Sequence, residues 1–139
     1  MLRYELEQAL INGSLEVKDL EVAWNDMFKR DFGYAVDRPS NGVLQDVHWS
    51  VGLFGYFPTY SLGNIYAGCL EKAIQSELPD LNLEYSKGNV KRATTWLREN
   101  LQMYGGLRDP EQTISFATGE MPNEEPLLNY LDKKFNDLI

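Results

Sequence analysis

The chain has 139 residues, the size of one domain and enough to bury a core. Its 43% hydrophobic and 24% charged content is that of an ordinary globular protein and excludes a disordered chain. The net charge of −8, from 13 basic against 21 acidic residues, argues against a nucleic-acid partner, whose phosphates need a basic footprint.

The opening MLRYELEQAL carries acidic residues where a secretory leader would have none, so a cytoplasmic setting is expected. Leu2, Leu6, Ala9 and Leu10 share one helical face, and Asn12-Gly13 is a stop signal. Nothing before Leu2 resembles a cap, which suits either a chain cut from something longer or a native start on a frayed first turn. Asp19 can cap a second helix with Leu20, Ala23, Trp24, Met27 and Phe28 on its apolar side, ending near Phe32-Gly33. A loop rich in turn residues follows, with Asp37, Pro39, Asn41 and Gly42.

From His48 to Leu70 there is no Asp, Glu, Lys or Arg. The run is long enough to raise the question of a membrane span, but Gly52, Gly55, Pro58, Gly63 and Asn64 interrupt it. A buried central segment is the expectation, and no membrane partner. Pro58 suits a first helical turn, and Leu62, Ile65, Tyr66, Cys69, Leu70, Ala73 and Ile74 repeat at helical spacing. Leu78-Pro79-Asp80 breaks that helix, and a short one runs from Leu81 to Lys87. Asn89 can cap the next, with Ala93, Trp96, Leu97 and Leu101 on one face, ending at Gly105-Gly106. Asp109-Pro110 opens a helix to Gly119, and the last, from about Asn123, carries Leu127, Leu128, Leu131, Phe135 and Leu138. No segment alternates as a strand would and no linker divides the chain. The expectation is one all-α domain over residues 1–139, of about five to seven helices.

The single cysteine, Cys69, allows no internal disulfide and suits a reducing compartment; its place on an apolar helical face marks it as core. One histidine and one cysteine make no evident zinc site, and no H-E-x-x-H, C-x-x-C or P-loop is present. No metal ligand is assigned. His48 is the chemical candidate, with Gln45, Asp46 and Trp49 beside it and Tyr56 and Tyr60 following. An imidazole and a phenol can each donate a hydrogen bond to an oxyanion or a carboxylate. The same residues also read as core: a histidine satisfied by Asp46 or a carbonyl, and tyrosines with a polar tip.

The stretch GVLQDVHWSVGLFGYFPTYSLGNIYA resembles the C-terminal signature of the thermostable carboxypeptidase family, the carboxypeptidase Taq type. The resemblance extends to LRYELEQALINGSLEVKDLEVAWNDMF before it and to LPDLN, WLRENL and GEMPNEEPLLNYL after it. It implies the C-terminal part of a larger helical zinc metallocarboxypeptidase, cytoplasmic and often homodimeric, that removes residues from peptide C-termini. In that family zinc is held by an H-E-x-x-H helix and a downstream glutamate, upstream of the matched region. This chain alone is therefore expected to bind no zinc and to be inactive. Gly42, Gln45, Asp46, His48 and Trp49 match the family's last motif. The resemblance implies His48 as substrate or oxyanion donor with Tyr56 or Tyr60 as phenolic partner, and Gln45, Asp46 and Trp49 as substrate-binding or orienting groups. After WLREN, Gln102, Met103 and Tyr104 stand where members tend to have histidines. The alternative, from another class, is a stand-alone helical interaction or scaffold protein.

Overall fold

A computed structural model describes residues 1–136 and 138. Among these there are seven α-helices joined by turns, and no strand. The all-α expectation holds. The chain divides into two compact units, Met1–Tyr60 and Ser61–Ile139.

In the first unit α1 (Leu2–Ile11) ends where Asn12-Gly13 stops it. After a 3₁₀ turn at Val17–Asp19, α2 (Leu20–Phe32) closes on Gly33 at φ 79°, a left-handed geometry that a glycine adopts without strain. Asp19 precedes α2, but its side chain makes no capping hydrogen bond. Leu6 and Trp24 form the unit's apolar centre, 2% and 4% exposed. Beyond α2 the chain makes short 3₁₀ turns at Pro39–Asn41, Val43–Gln45 and Trp49–Val51 instead of a helix. Gly42 joins the first two: a Cβ there would come within 2.7 Å of Val36 Cγ1 and 3.4 Å of both the Trp24 indole nitrogen and Asn25 Oδ1. Only a residue without a side chain fits that approach.

The long helix α3 (Phe57–Glu77) has its first turn in the first unit and the rest in the second. The second unit continues with α4 (Leu81–Ser86), α5 (Lys91–Asn100), α6 (Pro110–Thr118) and α7 (Glu125–Asn136). Its core is Ile74, Leu81, Ala93 and Trp96, with Leu70, Ala73, Leu78 and Leu97 against it. Burying each large side chain contributes roughly 1.5–3 kcal/mol. The Trp96 indole N–H, which could not be buried unpaired, donates to Glu77 Oε2 at 2.8 Å. Gly68 lets α7 approach α3: a Cβ would stand 2.8 Å from the Leu127 backbone nitrogen. Cys69 is buried, as its helical position implies, and its thiol donates to the Asn123 carbonyl at 3.4 Å.

Two expectations need correction. α5 stops at Asn100 because Leu101 leaves helical dihedrals, and Gln102–Tyr104 form a 3₁₀ turn. The uncharged run is not buried at its head: Val51, Phe54 and Tyr60 are all more than half exposed. The apolar stripe of α7 is likewise open, with Leu128 and Phe135 more than half exposed. Periodicity finds an apolar face but not what covers it. No described helix is long and apolar enough to cross a membrane.

Candidate functional site

The site lies in the first unit, in the loop from Gly42 to Tyr56 and the opening turn of α3. Asp46 organises it. Its Oδ1 accepts the backbone N–H groups of His48 (2.9 Å) and Trp49 (3.2 Å), an Asx-type turn that a carboxylate two residues before the imidazole can make. Its Oδ2 lies 3.3 Å from His48 Nδ1. An ionised carboxylate only accepts, so Nδ1 carries the proton and Nε2 is left for another partner. That partner is Tyr60, whose hydroxyl lies 3.1 Å from Nε2. Pro58 opens α3 so that Tyr56 and Tyr60 flank the ring: Tyr56 stacks on it at 5.7 Å, and Tyr60 meets Tyr56 edge-on at 5.2 Å.

The burial is graded along this line. The Asp46 side chain is 1% exposed, that of His48 20%, and Tyr60 as a residue 54%. A buried anion thus stands behind a half-shielded imidazole, which stands behind an exposed phenol.

Two residues of α1 that the sequence reading did not select hold this loop. Glu7 is 1% exposed; its Oε2 accepts the Trp49 indole N–H at 2.9 Å and its Oε1 the Gly55 backbone N–H at 2.8 Å. Gly55, at φ 75°, turns that N–H inward. Arg3, one helical turn before Glu7, places Nε 2.9 Å from Asp46 Oδ2. The available signal was a glutamate at position 7 beside Leu6 on the apolar side of α1, and an arginine four residues before it.

The structure therefore brings His48, Asp46, Tyr56 and Tyr60 together. Trp49 lies next to them, with its polar atom committed to Glu7 and its ring edge-on to Trp24 and Phe57. Gln45 is apart: its exposed amide donates to the Ser40 carbonyl. Zinc does not fit the residues present. Among the described residues no three His, Cys, Asp or Glu side chains are grouped to hold a metal ion. Both His48 nitrogens face other side chains and the Cys69 thiol is buried in the second unit.

Comparison with known proteins gives a consistent answer. The family described as carboxypeptidase Taq (M32) metallopeptidase matches residues 1–135. Thermostable carboxypeptidase 1 of Thermus thermophilus is 39% identical over 135 residues, 97% of this chain and 26% of that protein. Carboxypeptidase 1 of Bacillus subtilis is 36% identical over 99% of this chain and 28% of its own length. The crystal structure of an M32 carboxypeptidase from Deinococcus radiodurans superposes with a TM-score of 0.93 at 33% identity, covering 99% of this chain and 28% of that one. The chain thus spans little more than a quarter of the length of the relatives it matches.

Proposed function

Because this chain belongs to the carboxypeptidase Taq (M32) metallopeptidase family, we propose that residues 1–139 are the substrate-side portion of a zinc metallocarboxypeptidase acting on peptide C-termini. The observation that carries the reading is the hydrogen-bonded line from buried Asp46 through His48 to exposed Tyr60. That line has two proton arrangements. With a neutral ring, Tyr60 O–H donates to Nε2. With an imidazolium, formed by uptake of one proton from solvent at Nε2, the Nε2–H donates to the Tyr60 oxygen and the phenolic proton turns outward. A peptide carboxylate or a developing oxyanion arriving at Tyr60 favours the second form, since an outward O–H meets the negative charge. In this reading Tyr60 touches the substrate, His48 drives it, and Tyr56 packs the ring. Asp46 and Trp49 act by orienting the loop, and Gln45 lies on its outer side.

No step is assigned to zinc, for which the described residues make no ligand set, and the 139 residues by themselves are not expected to hydrolyse peptides. The exposed head of the uncharged run suits a face covered by further polypeptide, and the unpaired thiol suits a cytoplasmic setting.

The test is a chimera in which residues 1–135 replace the matching segment of the Thermus thermophilus relative. His48→Ala should lower kcat by about 10²–10³-fold, the loss typical of one oxyanion donor, with little change in unfolding midpoint. Normal turnover with a stability loss of roughly 1–3 kcal/mol would return His48 to a purely structural role.

A further inference from the structure

Arg3 meets the carboxylate that stands behind the imidazole and the phenol. Its Nε lies 2.9 Å from Asp46 Oδ2, the oxygen that also faces His48 Nδ1. The contact is one of charge: the N–H lies outside hydrogen-bond geometry, and no acceptor takes it. The guanidinium is held by stacking over the Trp24 ring, its carbon 5.4 Å from the ring centre. We propose that Arg3 is a positioning residue for the proton on His48, its charge balancing Asp46 so that the ring is not fixed as an imidazolium. This rests on the reading of His48 and Tyr60 given above and adds the group that keeps both proton arrangements within reach.

The argument is one of charge balance. A carboxylate 1% exposed beside an imidazole favours the protonated ring, because the cation then sits against an anion shielded from water. A second cation on the same oxygen opposes that. The other titratable groups facing the ring are Tyr56 and Tyr60; Glu7 reaches the loop only through Trp49 and Gly55. None of them supplies a positive charge. If the line is to switch between its two arrangements as substrate arrives, the pull of Asp46 must be offset, and Arg3 is placed to do so.

His48 is the chain's one histidine, so its ring nitrogens can be read without ambiguity by nitrogen NMR on the 139-residue protein. Arg3→Gln should raise the ratio of imidazolium to neutral ring at fixed pH by roughly three- to tenfold, the effect of removing a partly screened charge from the far side of the shared carboxylate. Arg3→Lys, which keeps the charge and loses the planar fork, should restore the wild-type ratio. Asp46→Asn should do the opposite of Arg3→Gln and abolish the Nδ1–H form in the neutral ring. A folded Arg3→Gln protein with an unchanged ratio, or an Arg3→Lys protein that behaves like Arg3→Gln, overturns the proposal. This readout needs no activity, so it fails or succeeds separately from the kcat test of His48.

Discussion

Replacing Glu7 tests whether α1 holds the site loop. Its carboxylate is 1% exposed and accepts two N–H groups, from Trp49 and Gly55, that lie 42 and 48 residues along the chain. In Glu7→Ala both donors lose their acceptor at once. An unsatisfied buried donor costs about 1–3 kcal/mol; both bonds are part-buried and Gly55 is itself exposed, so the indole N–H carries most of the cost, and relief of the buried carboxylate returns part of it. The net loss expected is roughly 1–3 kcal/mol, still a sizeable share of a domain's stability. Urea unfolding followed by tryptophan fluorescence should show the midpoint fall by about 0.5–1.5 M, given a slope of about 1–3 kcal/mol/M. Glu7→Gln should fall between wild type and Glu7→Ala, because its amide oxygen serves one donor while its NH₂ faces the other.

A cycle with Trp49→Phe makes the assignment specific. Once the indole N–H is absent, removing Glu7 strands one donor fewer, so its cost should shrink by about 1–2 kcal/mol. Exchange of the Gly55 amide proton should quicken in Glu7→Ala in either background. Strict additivity in the cycle, with Gly55 protected as before, would mean that Glu7 is buried for some reason other than holding this loop.

Two further outcomes are expected. Gly42→Ala should destabilise by roughly 1–3 kcal/mol, since its Cβ would overlap Val36 Cγ1 and crowd the Trp24 and Asn25 side chains; thermal unfolding of the variant reads this directly, and an unchanged midpoint would show that the loop yields. The protein should self-associate at micromolar concentration through its exposed head segment around Val47, Val51 and Phe54. Light scattering on the wild type and on Val51→Lys checks this, and a clean monomer in the wild type would refute it.

The helices were legible because their signals are local. Gly33 and Gly119 end α2 and α6 in left-handed geometry, Pro110 opens α6, and Ala93 and Trp96 mark the buried side of α5. Within the site, Asp46 and His48 were legible together because the Asx-type turn joins neighbours in sequence. Arg3 and Glu7 were not, because their partners lie more than forty residues away and no local pattern distinguishes a buried glutamate from a solvated one. The same limit explains the uncharged run. Its composition records that apolar side chains are to be covered, but covering is a property of whatever packs against them. Val51 and Phe54 therefore read as core in the sequence and stand exposed in the structure. A residue line graded from buried Asp46 to exposed Tyr60 needs such a rim, because an arriving anion meets the phenol most strongly where water is excluded around it. In the proposed enzyme, then, the exposure of Val51 and Phe54 and the exposure of Tyr60 have one cause: both belong to a face that is completed by polypeptide outside these residues.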